Sequence, residues 1–156
     1  MKKMLVLVVA VLCGCGQDPA AQVVKAFVRN LEEGASSEAW DLLNPDTRAV
    51  YDSTVVVLHR FGYEESSGAL DSLAGTVTPE EFAEMDGRDL FIRMTAENPE
   101  VGNLSGTIRS VRHVSESRRI VVLSTASGLQ EVGVELIGER WLVDLTTLTP
   151  PAEPER

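Results

Sequence analysis

The spacing of apolar residues changes once along the 156-residue chain, near Pro99. Before Pro99, apolar residues recur at the three- and four-residue intervals of amphipathic helices; from Leu104 onward they are mostly β-branched and alternate with polar residues. Helices followed by consecutive strands are typical of the α+β class. The sequence therefore predicts one α+β domain over residues 19–148, with N-terminal helices packed on an antiparallel meander of about four strands. Prolines predict an unstructured tail over 149–156.

Capping signals place the first three helices. Asp18 precedes a proline and a stripe of apolar residues, so we expect it to cap the first helix. Ser36 or Ser37 is expected to cap a second, short helix. An Asn-Pro pair then opens a third helix over about 45–61, with Gly62 as its C-terminal stop. We expect this helix to bury some of its apolar residues, namely some of Val50, Tyr51, Val55, Leu58 and Phe61.

The segment between Gly62 and Pro99 is harder to interpret. Residues 64–75 are small and polar, and this composition predicts a mobile loop with at most a weak helical turn. Thr78 and Glu81 have the spacing of a capping box, which predicts the start of a helix over Phe82 to Met85 that is broken by Gly87. A further helix is expected over about 88–97.

The strands have one apolar and one polar face. Val132, Val134 and Leu136 alternate with Glu131 and Glu135. Because successive side chains of a strand point to opposite sides, this pattern predicts an antiparallel sheet with one face packed and the other solvated. We expect the helices to cover the packed face.

The N-terminus has the parts of an export signal. Two lysines precede an apolar run over 4–12, which is about nine residues where a membrane span needs about twenty. The residues that follow, "LCGCG", resemble a bacterial lipoprotein signal, with Leu12 third before Cys15 and the small Gly14 just before it. The resemblance implies that residues 1–14 are a signal peptide, that Cys15 receives the lipid, and that residues 15–18 form a lipidated cysteine and short tether. Cys13 would be lost with the leader.

The lipoprotein resemblance has implications for location. It implies export and a lipid anchor in the cell-envelope membrane at Cys15. Gly16 is not the aspartate that retains many such proteins at the inner membrane, so the periplasmic side of the outer membrane is favoured in a two-membrane bacterium. An uncleaved signal anchor remains an alternative, as does a secreted protein whose cysteines are apolar filler.

Two stretches of the predicted domain resemble the nuclear-transport-factor-2-like, cystatin-like superfamily of small exported bacterial domains. These are "VVKAFVRNLEEGASSEAWDLLNPDTRAVY" near the start and "GERWLVDL" near the end. The resemblance implies a cystatin-like cone, with helices cupped against a bent sheet around an apolar cavity. Some members bind small apolar ligands, some are isomerases, cyclases or dehydratases that use Asp and His, and many are not catalytic.

Few side chains are candidates for chemistry. His113 shares a predicted strand face with Arg109 and is the candidate polar residue of a pocket, but a solvated strand position beside two arginines is the favoured interpretation. His59 is placed to interact with a helix C-terminus, which is a structural role. Asp41 and Asp144 are expected to be surface charges rather than buried carboxylates. No metal-ligand spacing, cofactor fingerprint or nucleophile motif is present in the sequence, so no catalytic residue, metal or cofactor is predicted.

The charge balance limits the partners. A formal net charge of −10 argues against nucleic acid or anionic lipid as a partner, because phosphate binding needs clustered Lys and Arg. The favoured hypothesis is a membrane-anchored envelope lipoprotein whose non-catalytic domain binds an envelope protein or a small apolar ligand. The alternatives are a pocket enzyme of the isomerase, cyclase or dehydratase kind, and an inert accessory domain.

Overall fold

The computed structural model describes residues 18–97 and 104–149. Helices precede strands along the chain, as the change of period predicts. The helices are α1 (Pro19–Glu32), α2 (Ser36–Trp40), α3 (Pro45–Phe61), α4 (Tyr63–Ala74), α5 (Pro79–Glu84) and α6 (Gly87–Glu97). The strands are β1 (Gly106–His113), β2 (Arg118–Thr125), β3 (Gly128–Ile137) and β4 (Arg140–Thr149). The predicted signal, Cys15 and residues 150–156 lie outside the described residues, whereas Thr149 ends β4 and so extends the sheet one residue past the predicted boundary.

The four strands form one antiparallel meander in the order β1-β2-β3-β4, which confirms the α+β prediction. Val132 and Val134 are fully buried, as the alternation predicts. Glu131 lies on the opposite face of the sheet. Its carboxylate accepts two hydrogen bonds from the Arg112 guanidinium, so the side chains form a bidentate ion pair between β3 and β1. A short parallel bridge between Leu43 and the β4 residue Val143 attaches the segment before α3 to the sheet edge.

The interior consists of two clusters of buried side chains. In the larger one, α1 contacts all four strands, and the space between α1, α2, α6 and the sheet is filled by side chains such as Val24, Phe27, Leu43, Phe91 and Val121. The smaller one joins α3, α4, α5 and α6, with Val55, Leu70 and Leu90 at its centre. The helical half of the chain therefore has a core of its own beside the sheet.

Helix capping follows the sequence at most helix starts. Asp18 accepts a hydrogen bond from the Ala20 amide at the start of α1. The Asn44 side chain accepts from the Thr47 amide at the start of α3, and Gly62, at φ 83°, ends that helix. Both bonds of the predicted capping box at Thr78 are formed.

Three local predictions are wrong. Residues 64–75 are not a loop, because α4 occupies them: Ser66, Leu70 and Ala74 recur every four residues and are buried. Neither predicted serine caps α2, whose N-cap is Ala35, and Ser36 instead accepts a hydrogen bond from Thr95 on α6. Gly87 does not end α5, which ends at Glu84; it is the first residue of α6.

Candidate functional site

His113 lies at the end of the edge strand β1, and 64% of its side chain is exposed. Its Nε2 atom is 3.6 Å from the Asp18 carboxylate at the start of α1. His113 is therefore a surface residue beside a helix cap. It does not line the cleft of about 390 Å³ between α1 and the sheet, whose walls include Val24, Ile108 and Leu123.

Asp18 is the centre of a small charged cluster at the start of α1, which we call the Asp18 cluster: Asp18, His113, Arg119 and Trp141. Arg119 donates a short hydrogen bond to Asp18, and its guanidinium lies 4.4 Å from the centroid of the Trp141 ring. Partial burial raises the pKa of Asp18, but the hydrogen bond from Ala20 and the charge of Arg119 outweigh that effect and leave the pKa below its usual value. Asp18 is thus held as a carboxylate, which suits a helix cap and not a proton donor.

Asp144 is buried, so the prediction that it is a surface charge is wrong. Its carboxylate accepts hydrogen bonds from the Thr146 amide and hydroxyl, and its other oxygen lies 3.3 Å from Arg118. These side-chain contacts tie β4 to itself and to β2, so the role is structural. Asp41, by contrast, has a side chain that is 61% exposed and lies 3.8 Å from Arg88, as expected of a surface charge.

His59 also has a structural role. Its Nε2 atom lies 2.7 Å from the Phe82 carbonyl oxygen, and its ring meets the Phe82 ring edge-on with centroids 4.8 Å apart. These contacts fasten the end of α3 to α5. Among residues 18–97 and 104–149, no three His, Cys, Asp or Glu side chains lie close enough to hold a metal ion.

A shallow, open apolar depression of about 730 Å³ runs along the outer side of α3; seven of its eight lining residues come from α3 and one, Thr146, from β4. We call it the α3 groove; its lining residues are Asp46, Ala49, Val50, Ser53, Thr54, Val57, Leu58 and Thr146. Val50 is 54% exposed and Val57 is 46% exposed, so the groove is open along its length. Phe61, 67% exposed, continues the same stripe toward the end of the helix. Asp46 is its one titratable lining group.

The sequence contains a signal for this groove. Tyr51, Val55 and Leu58 form one stripe of α3, which packs against α4 and α6, whereas Val50, Val57 and Phe61 form a second stripe. A helix with two apolar stripes but only one covered face leaves the other at the surface. Residues of both stripes are expected in one core from the sequence alone, so the sequence does not predict the α3 groove.

Comparison with known proteins does not assign the chain to a family: no family model, curated protein or solved structure matches it. The resemblance to the nuclear-transport-factor-2-like superfamily therefore stays a prediction, as does the lipoprotein signal. Within the described residues, no helix is both long enough and apolar enough to cross a bilayer.

Proposed function

We propose that this chain is an exported cell-envelope lipoprotein, anchored by a lipid on Cys15, whose domain binds a partner protein through the α3 groove without catalysing a reaction. The anchor rests on the sequence pattern at Leu12, Gly14 and Cys15. In a two-membrane bacterium, Gly16 favours the periplasmic side of the outer membrane. The exposed apolar stripe of the α3 groove is the observation that carries the binding role.

The shape of the α3 groove favours a helix of a protein over a small molecule. From Asp46 to Leu58 the stripe extends about 18 Å at the rise of an α-helix, which matches roughly three turns of a partner helix. Sites for small ligands enclose most of the ligand surface, whereas this groove is open along its side. Aliphatic residues in such a groove are suited to the apolar face of an amphipathic helix.

The charge of the surrounding surface specifies the partner further. Residues 18–97 contain 16 acidic side chains and six basic ones, and Asp46 lies in the groove itself. Such a surface attracts basic segments and repels acidic ones. The partner segment is therefore an amphipathic helix with basic flanks.

The anchor is tested by comparing the full-length protein with Cys15→Ser in a lipoprotein-processing bacterium, using intact mass and membrane fractionation. We expect only the native protein to gain the mass of a lipid and to sediment with membranes. If both proteins are soluble and cleaved elsewhere, the anchor is wrong.

The α3 groove is tested by photo-crosslinking in cells of the bacterium that encodes the chain. A benzophenone amino acid replaces Val57 in the groove, and a matched protein carries it at Leu73, which is 40% exposed on α4. We expect a discrete adduct from position 57 alone, lost when Val50→Asp is added and kept when Leu129→Asp is added. Equal labelling from positions 57 and 73, or an adduct that survives Val50→Asp, would exclude the groove as the binding site.

A further inference from the structure

The two hairpin turns and the start of α1 lie at the same end of the sheet. The β1–β2 turn spans residues 114–117 and the β3–β4 turn spans 138–139. The amide of Leu136 donates a 2.7 Å hydrogen bond to the Ser117 carbonyl, so the turns are joined. Arg119, near the first turn, pairs with Asp18 at the start of α1. We call this surface, formed by the two turns and the Asp18 cluster, the hairpin end.

The position of Cys15 in the sequence ties the hairpin end to the anchor. Asp18, the first described residue, is three positions after Cys15, with two residues between them. Even a fully extended chain covers only about 10 Å over three residues. A lipid on Cys15 would therefore hold the hairpin end close to the membrane surface, whatever path those residues take.

The hairpin end carries side chains that suit a bilayer interface. Val114, at the β1–β2 turn, is 53% exposed, and Ile137, at the β3–β4 turn, is 40% exposed. Trp141 is partly buried beneath the Arg119 guanidinium, and Arg140 is exposed. Small apolar tips, an indole ring and arginines are the groups that proteins place at the boundary between headgroups and acyl chains.

The same two turns also carry acidic side chains. Glu116 and Glu139 are both exposed, close in sequence to Val114 and Ile137. The contact of the hairpin end with lipid therefore rests on its two apolar tips and on the short distance to Cys15, and not on an excess of positive charge.

The distribution of charge favours the same orientation. Residues 18–97 are strongly acidic, whereas residues 104–149 contain five basic and five acidic side chains. An anionic lipid surface repels the helical layer and has no net repulsion for the sheet. The hairpin end consists mainly of turns between strands, so it avoids the strong repulsion that the helical layer would meet.

We infer that the hairpin end is a membrane-contacting surface, with Val114 and Ile137 inserted among the phospholipid headgroups of the leaflet that holds the Cys15 lipid. This inference rests on the proposed anchor. It adds a defined orientation, because one end of the sheet faces the bilayer and the opposite end, with the β2–β3 turn, faces away from it.

Single cysteines can measure this orientation directly. The chain has two cysteines, Cys13 and Cys15, of which the lipoprotein pathway would remove the first and block the second. Val114→Cys and Ile137→Cys are compared with Leu129→Cys, which is similarly exposed at 51% but lies beside the β2–β3 turn. Each full-length, lipidated protein is labelled with a nitrobenzoxadiazole fluorophore and reconstituted in phosphatidylethanolamine and phosphatidylglycerol vesicles that contain a headgroup nitroxide lipid.

The expected result is selective quenching at the hairpin end. Because interfacial side chains reach about 5–10 Å into the headgroup region, we expect quenching at positions 114 and 137 to be at least about twice that at 129. Flotation of the same samples separates the two proposals. Protein that floats but is quenched equally weakly at all three positions keeps the anchor and overturns the orientation, and protein that does not float overturns both.

Discussion

Two helical glycines provide a matched test of how closely the helices pack. Gly87, the first residue of α6, lies against α3: a Cβ added there would be 2.6 Å from the backbone nitrogen of Asp52 and 3.0 Å from its Cα. Real Cβ atoms do not approach backbone atoms so closely, so Gly87→Ala must push α6 away from α3. Gly68, in the middle of α4, has no atom within 4 Å of the same added carbon.

The same substitution is therefore expected to have opposite effects at the two sites. Overpacking a well-filled contact lowers the free energy of unfolding by about 1–3 kcal/mol, and we expect this loss for Gly87→Ala. Alanine in an open helical position raises the free energy of unfolding by about 0.5–1 kcal/mol relative to glycine, and we expect this gain for Gly68→Ala.

Urea unfolding, followed by far-ultraviolet circular dichroism, measures both changes. The native protein and the two variants are compared at one pH and ionic strength, and equal slopes against urea show that the unfolded states are comparable. If the Gly87→Ala variant were as stable as the native protein, the close contact between α3 and α6 would be refuted. A destabilising Gly68→Ala would refute the assignment of residues 63–74 to a helix.

Three further predictions concern the caps, the core and the effect of pH. Asn44→Ala removes the α3 cap and should lower the free energy of unfolding by about 1–2 kcal/mol in urea, whereas an unchanged value would contradict the capping role. Phe91→Ala leaves a hole in the aromatic cluster and should lower the free energy of unfolding by about 3–5 kcal/mol; a change below about 1 kcal/mol would mean that this site is not tightly packed. Burial raises the pKa of Asp18, but hydrogen bonding by Ala20 and Arg119 leaves it lowered, so its contribution to stability is present above its ordinary value of 3.8 and is lost as the pH falls through the lower folded-state value. Asp18→Asn should therefore lose less stability than the native protein between neutral pH and the acid range in a pH series of urea melts, and parallel losses would contradict the assignment.

The fold class could be predicted from the sequence because the period of apolar residues is a local property. The strands of the meander are joined by short turns, so the order along the chain is also the order in the sheet. The starts of α1 and α3 could be predicted as well. Each has a capping side-chain oxygen, on Asp18 or Asn44, followed by a proline. The strand order and the helix caps both depend on residues that are close together in the chain, so they can be predicted from the sequence alone.

The features that were missed depend on packing between distant segments. The buried face of α4 consists of Ser66, Leu70 and Ala74, two of which are small, so its hydrophobic signal is weak until α6 is placed against it. The burial of Asp144 depends on Arg118 from another strand and on the following threonines, which no local pattern indicates.

The candidate surfaces were predictable only in part. The two stripes of α3 are visible in the sequence, but which one is covered depends on where α4 and α6 pack. His113 was correctly placed on a strand, and its exposure follows from the position of β1 at the sheet edge beyond the filled core. The Asp18 cluster joins residues about a hundred positions apart and could not be inferred from spacing.

Intact mass combined with vesicle flotation determines whether a lipid on Cys15 anchors this domain. We expect the mature native protein to begin at Cys15, to carry the mass of a lipid and to float with vesicles, whereas Cys15→Ser carries no lipid and stays in the soluble fraction. A native protein without lipid mass that stays soluble together with Cys15→Ser would contradict the anchor, and with it the orientation of the hairpin end toward the membrane.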